Sequence, residues 1–132
     1  MTRALLGAVW RDDTSRVRAL LRAGADPVAP DAGGITPLYA ASVHGAAASV
    51  RLLLAAGAPP DAESGGIGSE GTPLCAAACW GHTDAVRELL AHGADPTLRE
   101  DAGTGLTPLD WALRGPHPET AALLRAAATA RA

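Results

Sequence analysis

The sequence predicts an all-α fold, a solenoid of stacked helix-turn-helix pairs, and two recurring patterns carry that prediction. The tripeptide Thr-Pro-Leu occurs three times, and its leucines, Leu38, Leu74 and Leu109, recur at intervals of 36 and 35 residues. A second pattern, Val-x-x-Leu-Leu-x-x-Gly-Ala, also occurs three times in the 132 residues. Self-similarity at a period of about 20–50 residues is the sequence signature of a repeat protein, because each copy is one supersecondary unit.

Each Thr-Pro step predicts the start of an inner helix. A threonine hydroxyl accepts a hydrogen bond from an unpaired N–H group of the first turn, and proline suits the first helical position, where its missing donor is not needed. We therefore expect inner helices over residues 37–44, 73–80 and 108–115. Gly45 and Gly81 follow two of them and permit a tight turn into an outer helix.

The second pattern predicts the outer helices. Val50, Leu53 and Leu54 lie at i, i+3 and i+4, which places them on one helical face. The glycine at the eighth position of the pattern suits the left-handed conformation of a residue just beyond a helix. We expect outer helices over residues 47–56, 83–92 and 118–128.

The two ends of the chain carry less regular copies of the unit. The first copy lacks Thr-Pro but keeps Leu5, Ala8 and Val17, and the last places Arg125 where the preceding copy has Leu90. Terminal units of a solenoid need a polar outer face, so we interpret these departures as caps. The prediction is a single domain over residues 1–132, with units at 1–33, 34–69, 70–104 and 105–132.

These motifs resemble the ankyrin repeat, a unit of about 33 residues with two helices, a β-turn and the signature Thr-Pro-Leu-His-x-Ala. The resemblance covers nearly the whole chain. It implies β-hairpin or loop fingers between the helix pairs, and it implies a non-catalytic protein-binding module. The chain departs from the family at the histidine of the signature, where it has Leu6, Tyr39, Cys75 and Asp110. In the family this histidine ties neighbouring loops by hydrogen bonds, so we expect looser loops, above all beside Leu6 and Cys75.

The resemblance also implies where a partner would bind. In an ankyrin stack the residues just before the turn glycine line a concave groove and are not needed for stacking. Here they are Trp10, Arg11, Val43, His44, Cys79, Trp80 and Arg114. Tryptophan and arginine are enriched at binding hot spots, although a tryptophan folded over its neighbours as packing is the alternative. We expect Trp111 to pack beside the last unit rather than to contact a partner.

The connections between the units are acidic. They hold eight acidic residues against Arg99 alone: Asp26, Asp31, Asp61, Glu63, Glu70, Asp95, Glu100 and Asp101. An acidic row could steer a cationic partner, although Asp26 and Asp95 precede proline and are typical turn formers. We expect partner contacts in the connections from Asp31, Ile35, Glu70, Asp101 and Leu106.

The connections differ in length. From the glycine of one unit to the threonine of the next they span 12, 15 and 14 residues. The second contains the run Ser64-Gly65-Gly66-Ile67-Gly68-Ser69, which we predict to be flexible. The extra length indicates either neutral drift or a binding role.

Composition narrows the class of partner. The net charge is −3, and all eleven basic residues are arginine, which argues against a nucleic-acid or membrane partner held by a basic field. Two cysteines without a secretory signal indicate reduced thiols in a cytoplasm. We expect a monomer that binds another protein, and we interpret the absence of lysine, asparagine and glutamine as coding bias of a GC-rich bacterial genome.

Chemistry is not expected, and two alternatives stay open. No nucleophile elbow or phosphate-binding loop accompanies the serine, histidine and glycine residues, so we predict neither an enzyme nor a cofactor. Cys75, Cys79 and His82 have a Cys-x3-Cys-x2-His spacing, which suggests a metal- or redox-responsive regulator, although a structural zinc site usually has four ligands. The other alternative is a scaffold that associates with itself.

Overall fold

The computed structural model describes residues 2–64, 71–100 and 105–131, and over these residues the chain forms eight α-helices and no β-strand. The helices are α1 Thr2–Trp10, α2 Thr14–Arg22, α3 Pro37–His44, α4 Ala47–Ala55, α5 Pro73–Cys79, α6 Thr83–Ala91, α7 Pro108–Arg114 and α8 Pro118–Arg131. The predicted bounds are confirmed to within one residue, except that α8 continues three residues beyond the expected end. No helix in the described ranges is both long enough and apolar enough to cross a bilayer.

The helices form four pairs stacked in chain order. Each pair consists of an inner helix followed by an outer helix, so that α1–α2 is the first pair and α7–α8 the fourth. The inner helices α1, α3, α5 and α7 contact one another in sequence and form one layer, and the outer helices α2, α4, α6 and α8 form a second layer. This two-layer stack is the predicted solenoid.

The Thr-Pro steps start the inner helices as expected. The hydroxyl oxygens of Thr36, Thr72 and Thr107 each accept a hydrogen bond from the N–H of the residue three positions on, at 3.2 Å. At α7 the cap is reciprocal, because the Asp110 carboxylate accepts the Thr107 N–H at 3.0 Å. These hydrogen bonds hold the pKa of Asp110 below its usual value.

The turns inside the pairs use the left-handed backbone region. Gly45 and Gly81 have φ angles of 74° and 70°, where a glycine avoids the clash of a Cβ atom. The equivalent residue of the first pair is Asp12, whose φ is 53°. Aspartate tolerates this region better than most residues, because its short side chain bonds locally.

A histidine from the next pair covers each of these two glycines. The His82 ring lies over Gly45, and its Nε2–H donates to the Val43 carbonyl at 3.0 Å. His117 lies over Gly81 in the same way and donates to the carbonyl of Cys79 at 3.1 Å. We call these two contacts the histidine–glycine clamps, and they join the second pair to the third and the third to the fourth.

The core runs along the stack between the two layers. Its largest fully buried aliphatic side chains include Leu5, Leu53, Leu74, Leu89 and Leu124. Alanines fill the seams between inner helices, where Ala40, Ala41, Ala77, Ala78 and Ala112 are buried. Small side chains at these seams let neighbouring helices pack closely without a large aromatic core.

The two sides of each connection are joined by backbone hydrogen bonds. In the first, the Asp31 N–H donates to the Ile35 carbonyl at 2.9 Å, and in the third the Glu100 N–H donates to the Leu106 carbonyl at 3.0 Å. The resemblance allowed for hairpins or loops at these places. The described part of the connections contains no β-strand, because these bonds do not extend into a ladder.

Candidate functional site

The predicted groove residues lie at the carboxyl ends of the four inner helices. Trp10 ends α1, His44 ends α3, Cys79 ends α5 and Arg114 ends α7. Because the inner helices stack side by side, the structure brings these ends into one row. Arg11, Val43 and Trp80 are their chain neighbours and complete what we call the inner-helix row.

Two tryptophans of the row are exposed. Trp80 has 62% of its surface accessible and Trp10 has 41%. Trp80 is the most exposed large apolar side chain in the described part of the chain. Most of the Trp80 side chain is therefore not packed against its neighbours, and packing within this chain does not explain why a tryptophan stands at this position.

Trp10 is held by an aromatic neighbour from the second pair. The Trp10 and His44 rings meet edge to face, with centroids 6.1 Å apart and an interplanar angle of 86°. Edge-to-face contact is a favourable arrangement of aromatic rings. The contact gives Trp10 a fixed orientation while leaving part of its surface open.

Other residues of the row have structural duties. The carbonyls of Val43 and Cys79 accept the two histidine–glycine clamps, and both residues are half-buried. At the far end, the guanidinium carbon of Arg114 lies 5.9 Å from the centroid of the Trp111 ring, within the range of a cation–π contact. Trp111 is half-buried and packs against the core, as expected.

Three predicted contact residues of the connections lie in the described ranges, and all three help to shape their loops. One Asp31 carboxylate oxygen accepts the N–H groups of Gly33 at 2.8 Å and Ile35 at 3.0 Å. Ile35 packs against the core, and Leu106 is half-buried. The other two, Glu70 and Asp101, lie outside the described residues.

The acidic side chains of the connections largely serve the backbone. Asp26 and Asp95 each accept an N–H two residues on at 2.9 Å, which confirms the prediction that they form turns. Asp61 accepts the Asp95 N–H from the next connection at 2.9 Å. The hydrogen bonds from Thr97, followed by the nearby Arg131, hold the pKa of Asp95 below its usual value.

Ser64 was expected to begin a flexible run, and this expectation is wrong for Ser64 itself. Its side chain is buried, and its hydroxyl accepts the Thr36 N–H at 3.0 Å and donates to the Gly34 carbonyl at 3.3 Å. These bonds tie the second connection to the first. No local signal marked Ser64, because both partners lie about 30 residues away in sequence. Residues 65–70 of the run lie outside the described ranges.

The expectation of loose loops beside Cys75 also needs correction. Its thiol reaches the Leu106 carbonyl at 3.7 Å and so occupies, as a weak donor, the place of the family's histidine. Burial raises the pKa of Cys75 to about 11 and also raises that of Cys79. The thiolate is the metal ligand and the nucleophile. Both thiols are therefore poorly suited to the metal or redox alternative, and the described residues contain no cluster of three potential metal ligands.

One pocket of about 580 Å³ opens where the inner-helix row begins. One wall is the face of α1 that carries Arg3, Leu6, Gly7 and Trp10, and the other is residues 30–33 of the first connection. Sequence reasoning identified Trp10 and Asp31 but missed the remainder, because a pocket depends on how a loop lies against a helix.

Comparison with known families agrees with this architecture. Residues 60–131 match a family model described as ankyrin repeats (3 copies), and residues 33–64 match the model of a single ankyrin repeat. No protein with a curated description matches the chain significantly.

Proposed function

Because this chain belongs to the ankyrin-repeat family, we propose that it binds a partner protein through the inner-helix row and the adjoining connections, without chemistry of its own. Ankyrin repeats are generally protein–protein interaction modules and form a non-enzymatic class. A fold does not by itself identify a function, so the proposal has to rest on the surface of this chain.

The observation that carries the proposal is the exposure of Trp80 and Trp10 at the ends of two inner helices. A large aromatic surface in water is unfavourable unless a partner covers it. Tryptophan is also the residue type most typical of interface hot spots. The Trp80 indole is not needed to stack the helix pairs, since a clamp and the leucine core join its pair to each neighbour, whereas the Trp10 indole also contacts His44 of the second pair.

We also propose the assembly state and the compartment in which the protein acts. The four helix pairs would act as one array with the unit boundaries predicted above, as a monomer in the cytoplasm. The self-associating scaffold is the remaining alternative. Sedimentation over a range of protein concentrations tests it, since a species that stays monomeric throughout would remove it.

The test replaces the exposed tryptophans. The double variant Trp10→Ala/Trp80→Ala should lose capture of the cellular partner from native extract while its helicity stays close to that of the wild type, and the single variant Trp80→Ala should also keep the wild-type melting temperature. The matched control is Leu98→Ala, an exposed apolar residue of the third connection. Undiminished capture by the double variant would show that the inner-helix row is not the binding surface.

A further inference from the structure

The pocket at the beginning of the inner-helix row is lined in part by a glycine, and close packing does not explain why a glycine stands there. Gly7 lies in the middle of α1, and a Cβ atom added there would meet nothing within 4 Å. Glycine in a helix interior is less favourable than alanine by about 1 kcal/mol. The equivalent positions of the other inner helices hold Ala40, Ala76 and Trp111, so the fold itself tolerates a side chain here. What the missing side chain leaves is open space inside the pocket.

The walls around that space are apolar and aromatic with a cationic rim. Leu6 and Trp10 lie one turn apart on the same face of α1, and His44 fixes the Trp10 ring. Arg3 lies one turn before Gly7 and is exposed at the pocket. The acidic side chain on the opposite wall, Asp31, has one oxygen committed to its own loop.

The first helix pair also holds a set of arginines unlike the others. Five lie there, all exposed: Arg3, Arg11, Arg16, Arg18 and Arg22. Within the described chain none of the five guanidinium groups has an ion pair or a hydrogen bond. By contrast, four of the remaining arginines meet carboxylates within 4.0 Å: Arg51, Arg87, Arg99 and Arg131.

The local charge is therefore opposite to that of the molecule. Residues 2–24 contain these five arginines and only two acidic residues, Asp12 and Asp13, a net charge of +3 in a chain of net charge −3. The Asp13 carboxylate is occupied as the cap of α2, where it accepts the Arg16 N–H at 3.2 Å. Unpaired guanidinium groups beside an apolar pocket suit a ligand that is both acidic and apolar.

We propose that the partner presents an acidic peptide segment, with one large apolar side chain over Gly7 against Trp10 and its carboxylates facing Arg3 and Arg11. This inference rests on the proposed function and names the class of partner for one end of the row. A nucleic acid fits less well, because the overall negative charge repels a long polyanion. An anionic bilayer fits less well too, because a flat surface does not enter a pocket.

The experiment uses random twelve-residue peptides displayed on phage and selected on the full-length protein. The enriched peptides should carry several aspartates or glutamates around one tryptophan, phenylalanine or leucine. The most enriched sequence is then synthesised and titrated by fluorescence anisotropy, and its affinity should fall as salt is added. Enriched peptides that lack acidic residues, or a selection in which no peptide is enriched over protein-free beads, would overturn the inference.

Three variants localise the binding. Gly7→Leu fills the open space, and Arg3→Glu/Arg11→Glu reverses the charge of Arg3 at the pocket and of Arg11 next to Trp10 in the chain. Each should weaken binding of the peptide by at least about tenfold. Arg18→Glu/Arg22→Glu changes the charge equally on the outer helix and should weaken it by less than about threefold near 0.15 M salt. Leucine favours helix over glycine, so Gly7→Leu should melt no lower than the wild type. Equal binding by Gly7→Leu and the wild type contradicts the pocket assignment.

Two further comparisons separate the possible failures. A single-stranded oligothymidine and phosphatidylserine vesicles serve as competitors, and tighter binding of either would replace the acidic peptide with that class of partner. Capture of the cellular partner is also repeated with Gly7→Leu. If capture is lost in the Trp10→Ala/Trp80→Ala variant yet survives Gly7→Leu, the row remains the binding surface and only the acidic-segment inference is wrong.

Discussion

The first helix pair is attached to the stack in a different way from the pairs that follow it. Between the second and third pairs and between the third and fourth, a histidine–glycine clamp closes the turn. At the first junction the histidine position holds Ala46 and the glycine position holds Asp12, so no clamp forms there. The main polar or aromatic link at that junction is the edge contact of Trp10 with His44.

The outer layer shows the same contrast. The hydroxyls of Thr83 and Thr120 join α6 to α8 at 2.8 Å, and Arg87 bridges to Glu119 at 3.4 Å. Nearer the first junction, the Ser49 hydroxyl is buried and has no partner within the described residues. The arginines follow the same division, since the five of the first pair are unpaired while four of the other six form ion pairs within the chain. A surface that is not committed to stacking is one that remains available to a partner.

The largest expected loss of stability comes from removing a buried leucine side chain, in the third helix pair or in the first. Leu89→Ala should lower the global free energy of unfolding by about 2–5 kcal/mol, because the side chain is fully buried in the third pair. Leu5→Ala should lower the opening free energy of α1 and α2 by a similar amount while shifting the main transition less. Repeat stability is a sum of unit and interface terms, which permits such local opening.

Urea unfolding combined with native-state hydrogen exchange measures both quantities. If Leu5→Ala shifts the whole transition as far as Leu89→Ala does, the first pair is attached as firmly as the others and the contrast is lost.

Removing a clamp should have the next largest effect. His82→Ala leaves the Val43 carbonyl without its donor and opens space over Gly45, which should cost about 1–3 kcal/mol. The matched control is His92→Ala, since the His92 ring is exposed and bonds only within its own segment, to the Glu88 carbonyl. That control should stay within about 0.5 kcal/mol of the wild type. Equal values from thermal or urea unfolding would mean that the clamp does not stabilise the stack.

Two buried hydroxyls test the outer layer. Thr120→Val removes the partner of Thr83 and should cost about 1–3 kcal/mol, because an unpaired polar group near the core is unfavourable. Ser49→Ala removes a hydroxyl that has no partner and should be neutral or slightly stabilising. Urea midpoints at equal slope compare the two. A substantial loss of stability in Ser49→Ala would reveal a partner for Ser49 and narrow the difference between the junctions.

The smallest effect concerns the arginines themselves. Arg87→Ala removes exposed ion pairs to Asp84 and Glu119 and should cost about 0–1 kcal/mol. Arg18→Ala removes no pair and should leave unfolding unchanged. Added salt should lower the stability of the wild type more than that of Arg87→Ala, because it screens the ion pairs that the variant lacks. A larger loss in Arg18→Ala than in Arg87→Ala would show that the first pair does use its arginines for folding.

The sequence sufficed for the architecture because its signals are local. The Thr36-Pro37 step caps a helix through atoms three residues apart, and Gly45 turns the chain within one residue. Ser64 and Cys75 escaped correct prediction because their partners lie about 30 residues away in the sequence, and which side chains meet over that separation depends on how the connections pack against one another. The pairing of the arginines could not be predicted either. The sequence gives their number, but whether a guanidinium group lies within reach of a carboxylate depends on the folded structure.

The histidine–glycine clamps also set a rule for how this array could lengthen. Gly45 and His82 belong to different units, and a side chain at position 45 would collide with the ring that the next unit supplies. A duplicated unit inserted between the second and third pairs would therefore have to contribute a histidine facing backward and a glycine facing forward. The second unit has Gly45 followed by Ala46 and would fail this rule, whereas the third unit has both Gly81 and His82. A copy of the third unit would thus keep a clamp at every junction it makes, whereas a copy of the second unit would leave Gly45 without one.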